Sequence, residues 1–270
     1  MVVERSHRSC ALCGAAFAGR TFLCPTCCAR YRGVRPDREL RQRFYEAVDR
    51  LYPHWANTYG TYNPPIGLLR VLDRYPRTVR ILELGCGGGA LLRDLASRGF
   101  EQLVGLDLAR TALAEARRRG TPAGLVLAEA ERLPFRPASF DVVIAADLLE
   151  HVDDLDAHLA EVARVLRPGG RYLVKTPNRP LAELYYRLAG LDDYRFWHPS
   201  MLSPGELRAL FQQHGFTVQF VRQPRLTPAQ LRKLPRGPLR VLAARLPVGL
   251  LPLFLRPHLE VVATRSHAAS

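Results

Sequence analysis

Three groupings in this chain combine residue types and spacing that could do chemistry: a glycine-rich turn among carboxylates, a Glu-His pair, and a cluster of cysteines. The turn lies in ILELGCGGGALL, Ile81 to Leu92. An apolar run carries Glu83, then Gly85, Gly87 and Gly89 alternate with other residues, and a helical pattern begins. A bare strand-to-helix turn lets backbone N–H groups approach a ligand closely. Ala90 lets the stretch pass as G-x-G-x-x-A, so the loop alone admits a dinucleotide, a phosphate or another adenosine-bearing ligand.

Neighbouring carboxylates narrow the choice. Asp107 ends the next strand, where a carboxylate can take both hydroxyls of a ribose, in NAD or in S-adenosylmethionine (SAM). Glu83 precedes the glycines, where a pyrophosphate would meet an unwelcome negative charge and an ammonium group would not. A further acidic cluster, Glu129-Ala130-Glu131, follows the third strand, and FDVVIAADLLEHV comes after it.

The elements that must position these residues alternate strand and helix from Thr78 onward, the pattern of a mostly parallel sheet covered on both faces. The sequence predicts strands at 79–84, 102–108, 124–130, 140–147, 171–177, 216–222 and 259–265. It predicts helices at 90–98, 111–119, 154–166 and 203–214, the last opened by Ser203-Pro204 with Glu206 in capping-box position. Pro168-Gly169-Gly170 is expected to end the third of these helices. Before the sheet, residues 36–77 read as helix, aromatic loop and helix, broken at Pro64-Pro65.

Residues 79 to about 178 resemble the class I SAM-dependent methyltransferases. Their first motif is matched by ELGCGGG, the ribose-binding acid by Asp107, and the adenine-edge segment by Glu129-Ala130; LPFRPASFD, EHV and LRPGG follow in order. The family usually has Asp where Glu129 stands. The resemblance implies an α/β, Rossmann-like, seven-stranded sheet. It implies SAM contacts from Glu83, Gly85, Cys86, Gly87, Gly89, Asp107, Leu108, Glu129, Ala130 and Ala146, with Cys86 a filler rather than a nucleophile.

ADLLEHV, TPNR and HPSMLSPGELRALFQQHGF resemble the small-molecule branch that includes ubiquinone-biosynthesis O-methyltransferases. That resemblance implies an acceptor near Asp147, Glu150 and His151 beneath an N-terminal lid helix. His151 is a candidate general base for a hydroxyl, its ordinary pKa lying near neutrality; the alternative is that Glu-His merely shapes the pocket, since alignment alone can drive methyl transfer. His198 (beside Trp197) and the lid tyrosines Tyr59 and Tyr62 are candidate substrate contacts, against the alternative of ordinary packing.

Five of the six cysteines fall between Cys10 and Cys28. Two C-x-x-C pairs, Cys10/Cys13 and Cys24/Cys27, have the spacing of a tetrahedral structural zinc site, with Cys28 an alternative to Cys27. The expected organisation is therefore a zinc-ribbon-like module at 1–35, a helical lid at 36–77 and a methyltransferase domain at 78–270. Within the last lie a SAM-binding core at 78–178, substrate-side elements and an insertion at 179–258, and a final strand at 259–265.

The chain is 47% hydrophobic, ordinary for a globular core, and carries a net charge of +14. That charge fits RNA or an anionic surface, but equally an arginine-rich proteome, since lysine occurs only at Lys175 and Lys233. An N-terminal zinc site also occurs in bacterial rRNA guanine-N1 methyltransferases, making RNA an alternative substrate; CPTCC and EHV both depart from that family's pattern. A SAM-binding interaction protein without catalysis is a further alternative.

The charged start MVVERSHRSC has no secretory h-region, and the most apolar window, Leu246 to Leu255, contains two prolines and is half the length of a membrane span, so a cytoplasmic location is expected. The prolines of residues 227–258 also cut against one continuous interfacial helix. They favour a core-covering insertion over peripheral membrane contact.

Overall fold

The computed structural model describes residues 7–19, 21–34, 36–52, 62–191, 193–232, 234 and 237–266. Among them β1 (His7–Ser9) and β2 (Ala16–Ala18) form an antiparallel hairpin. A seven-stranded sheet comprises β3 (Arg80–Leu84), β4 (Gln102–Asp107), β5 (Gly124–Leu127), β6 (Phe140–Ala146), β7 (Leu166–Pro177), β8 (Phe216–Val221) and β9 (His258–Arg265). Their order is β5-β4-β3-β6-β7-β9-β8, with β9 antiparallel to both neighbours and the other pairs parallel. This is the Rossmann-like architecture expected, and its order reverses between β3 and β6, where ligands of such sheets bind beyond the strands' C-terminal ends.

The central strands are near-continuous apolar runs because both faces are covered. Successive side chains of β3 enter opposite cores: Leu82 and Leu84 join Val143 and Phe211 on one face, while Ile81 joins Leu92 and Leu173 on the other. Fully burying each such side chain contributes about 1.5–3 kcal/mol. Helices Ala90–Ser97, Arg110–Arg118 and Leu155–Val165 follow their strands as expected, and helix Pro204–Gln213 opens with the anticipated Ser203/Glu206 capping box.

Two local expectations need correction, and one helix is new. The helix before β7 ends at Val165, ahead of Pro168-Gly169-Gly170, because Leu166 is already extended and pairs with Phe140. The Pro-Gly-Gly stretch forms a bulged start to β7 instead; Gly169 has φ +73°, and a Cβ on Gly170 would lie 2.8 Å from the Arg167 carbonyl oxygen. β5 stops at Leu127, leaving Glu129 and Ala130 in a turn closed by a bridge between Glu129 and Arg132. Helix Arg179–Ala189, not anticipated at all, begins with Pro180 and is ended by Gly190 at φ +65°.

The N-terminal hairpin and the short helix Pro25–Arg30 pack on helix Arg38–Leu51, whose Phe44, Ala47 and Val48 recur at helical spacing and are buried. Asp37 caps that helix by accepting from Leu40 N at 2.8 Å. The lobe is also pinned to the substrate side of the fold. The buried Asp193 accepts from Phe22 N at 2.7 Å and Leu23 N at 3.2 Å, and the Phe22 ring meets Trp197 edge-on at 5.5 Å. No helix among the described residues is long and apolar enough to cross a membrane.

Candidate active site

A cavity of about 430 Å³ opens at the C-terminal ends of β3, β4 and β6 and is roofed by helix Arg38–Leu51. Its cofactor-side wall is made by Glu83, Gly85, Cys86, Gly87, Asp107, Leu108, Glu129, Ala130 and Ala146, all read from the sequence, together with Gly88. Gly89 is placed differently. It caps helix Ala90–Ser97 at φ +72° with Thr121 where a Cβ would stand, and it is absent from the cavity wall. Gly85 has φ +67°, and a Cβ there would come within 2.8 Å of Leu148 Cδ1; the requirement for glycine is steric as well as conformational.

Asp107 organises the loop. Its Oδ2 accepts from Gly87 N at 2.8 Å and its Oδ1 from Ala109 N at 2.9 Å, leaving lone pairs on both oxygens for a ligand. Burial raises its pKa against those backbone bonds. Glu83 is 4% exposed, and its Oε2 accepts no hydrogen bond among the described residues. Burial first, then the charge of Asp107, push its pKa well above the ordinary range. A cationic or donor group entering here would satisfy an orphaned acceptor and favour its ionised form, and SAM carries such a group in its ammonium. The residues present therefore fit that cofactor.

The other end of the cavity holds Asp147, Glu150, His151 and His198, joined by Tyr45, Tyr186, Trp197 and His258. Asp147 stands at φ +58°, a conformation rare for a non-glycine residue and frequent at functional sites. It is held by its N–H to the Lys175 carbonyl at 2.8 Å and by Lys175 Nζ, which donates to Oδ2 at 2.5 Å. Glu150 is buried and accepts from Thr176 Oγ1 at 2.9 Å; burial and the Asp147 charge raise its pKa to about 8.

The Nδ1 of His151 lies 2.6 Å from the Trp197 carbonyl oxygen and 2.9 Å from the Tyr45 hydroxyl. Burial depresses its pKa to about 4, against the opposing pull of the carbonyl and of Asp147. His198 Nδ1 meets the Tyr186 hydroxyl at 3.0 Å. Tyr62 lines the cofactor side, its hydroxyl donating to Asp94 at 2.8 Å, whereas Tyr59 lies outside the described residues.

Residues the sequence reading missed complete the enclosure. Arg41 pairs with Glu131 at 2.8 Å and Asp153 at 3.0 Å, and Arg38 with Glu129 at 2.6 Å, so the roof helix is tied over the Glu129–Glu131 turn. Phe22, from the cysteine lobe, and Phe44 supply an apolar wall. Phe44 carries a sequence signal, its helical periodicity with Val48. Phe22 and His258 carry none, being brought in by tertiary packing.

In the lobe, the thiols of Cys10, Cys13, Cys24 and Cys27 lie within 4.8 Å of one another, and Cys13 and Cys24 Sγ are 3.7 Å apart. Zinc–sulfur bonds of about 2.3 Å in a tetrahedron place sulfurs about 3.8 Å apart, so this donor set fits zinc. Cys28 lies outside the group and its thiol faces the Leu23 carbonyl, so Cys27 rather than Cys28 completes the four.

Residues 82–174 match the family model described as a methyltransferase domain. A ubiquinone biosynthesis O-methyltransferase from Chelativorans sp. is 32% identical over 203 residues, 64% of this chain and 80% of that protein. One from Xylella fastidiosa is 29% identical over 212 residues, 72% of this chain and 86% of that protein. A solved SAM-dependent methyltransferase from Mesorhizobium loti superimposes with a TM-score of 0.54 at 23% identity, covering 73% of this chain and 96% of that one. The chain belongs to the class I SAM-dependent methyltransferases. It is an enzyme of that class, and SAM is its cofactor.

Proposed function

We propose that the protein transfers a methyl group from SAM to an oxygen of a small-molecule acceptor, by in-line displacement. The observation that carries this reading is His151. A neutral imidazole whose Nδ1 faces the Trp197 carbonyl keeps its Nε2 lone pair to accept a hydroxyl proton, in the same cavity as Glu83 and Asp107. The resemblance to ubiquinone biosynthesis O-methyltransferases points the same way.

Bound SAM supplies an already activated methyl group on a sulfonium. On this reading Glu83 takes its ammonium, the Gly85–Gly87 backbone accommodates its carboxylate end, Asp107 holds the ribose hydroxyls, and Glu129 with Ala130 meets the adenine edge. Leu108 and Ala146 flank it. Asp147 and Glu150 shape the acceptor end, His151 receives the proton, and Phe22, Phe44 and Trp197 form an apolar wall suited to an aromatic or lipophilic acceptor. Cys10, Cys13, Cys24 and Cys27 hold a structural zinc ion that fixes the lobe bearing Phe22.

The test is incubation of the purified protein with methyl-tritiated SAM and a cell extract split into RNA, protein and organic-soluble fractions. Label in the organic-soluble fraction supports the reading and identifies the pool to purify. Label in RNA overturns it.

A further inference from the structure

β8 and β9 are antiparallel neighbours, a pairing that a hairpin of two to five residues would join, yet residues 222–257 lie between them. This insertion folds into helices Pro228–Arg232 and Pro238–Arg245 and two 3-10 turns, Val248–Leu250 and Leu253–Leu255. Its inner side is anchored. Val248 is 1% exposed, Gly249 packs where a Cβ would lie 2.8 Å from the Gln223 carbonyl oxygen, and Asn178 Nδ2 donates to the carbonyls of Leu253 at 3.0 Å and Arg256 at 2.8 Å. To that extent it covers the core, as the sequence suggested.

Its outer side does the opposite. Leu242, Leu250 and Phe254 are 69%, 71% and 60% exposed, and helix Arg179–Ala189, packed beside the Leu253–Leu255 turn, turns Leu188 outward at 80%. Large apolar residues left exposed along one insertion and the helix packed beside it mark an interaction surface. The charge along the insertion has one sign. Residues 222–257 carry eight arginines and lysines and no aspartate or glutamate, and Arg222, Arg225, Arg232 and Arg245 are exposed.

We infer that this face docks on an anionic bilayer surface, with Leu242, Leu250 and Phe254 entering below the headgroups and the arginines meeting lipid phosphates. Apolar side chains and a one-signed basic rim are complementary to such a surface together. A two-fold contact with a second copy would set the basic rim against itself, and a nucleic acid backbone offers nothing to the exposed leucines. Tyr185 and Tyr186, on the same helix as Leu188, line the cavity, so docking brings a wall of the active site to the membrane. The inference does not depend on which atom of the acceptor is methylated.

The test uses the full chain in flotation assays with phosphatidylcholine vesicles, with and without about one-third phosphatidylglycerol. The protein should float with the anionic vesicles, stay behind with the neutral ones, and be released as salt is raised to about 1 M. The triple variant Leu242→Ser, Leu250→Ser, Phe254→Ser should bind about tenfold or more weakly, while its SAM affinity by calorimetry stays unchanged and reports an intact fold. Failure to float with anionic vesicles, or undiminished flotation of a folded variant, overturns the inference. So does a wild-type dimer that the same substitutions dissolve, which would assign the face to a second copy, or RNA binding that they abolish.

Discussion

His151 and Trp197, 46 positions apart in sequence, meet through a 2.6 Å contact between the imidazole Nδ1 and the Trp197 carbonyl oxygen. A carbonyl only accepts, so Nδ1 carries the proton and Nε2 keeps its lone pair. One backbone contact thereby selects the basic tautomer. His151→Ala should lower kcat by about 10²- to 10⁴-fold, with SAM affinity changed little. Turnover kinetics alongside calorimetric titration of SAM separate the two effects, and an unchanged kcat would remove His151 from the mechanism.

Asp107→Ala removes the acceptor of both loop hydrogen bonds as well as the proposed ribose contact. A charge-assisted hydrogen bond contributes about 1.5–3 kcal/mol, so SAM should bind about 10- to 150-fold more weakly. Calorimetry measures this directly, and near-normal affinity would place the ribose elsewhere.

Stability of the ligand-free protein should decline as pH rises from about 4.5 to 8, because two raised carboxyl groups outweigh one depressed imidazole. His151 titrates near 4 when folded against an ordinary 6.5, so the unfolded chain takes up the proton first and stability falls as pH drops through that window. Glu150 and Glu260 run the other way. Their folded pKa values are raised by burial to about 8 and about 7 from 4.5, so the stability they contribute is full below 4.5 and lost as pH rises through those values. Each group changes stability by at most about 1.4 kcal/mol per pH unit. Thermal melts from pH 4 to 9 should show this decline, and His151→Gln should steepen it between about pH 4 and 6.5 while leaving it unchanged above.

One zinc ion per chain should be found by elemental analysis, and Cys13→Ser should release it while Cys28→Ser does not. Because Phe22 and Leu23 hang from Asp193, losing the metal should lower the melting temperature and also raise KM for the acceptor, with SAM affinity largely preserved. Equal loss of zinc from both variants would refute the assignment to Cys13 over Cys28.

Much of the fold was legible because its determinants are local. β3, β4 and β6 are short apolar runs bounded by turn residues, and the observed ends differ from the expected ones by one residue. Helix Arg179–Ala189 escaped although Pro180 and Gly190 bracket it, the usual start and stop signals. The glycine loop and Asp107 were legible for the same local reason. The acceptor end was legible only in part, through Asp147, Glu150, His151 and His198. Phe22 and His258 reach it from segments far apart in the chain, and no periodicity in either encodes the meeting. Gly89 fell on the right loop, but the turn's geometry spends it on the contact with Thr121.

β9, last in sequence among the described strands, is not last in the sheet: it inserts between β7 and β8 and pairs with both. During synthesis β7 therefore waits with a bare, strongly apolar edge until more than eighty further residues have emerged. The same late strand delivers His258 to the cavity. The acceptor end of the active site is thus assembled only once β9 has emerged, and a chain arrested before β9 would expose a sticky edge without being able to form the complete pocket.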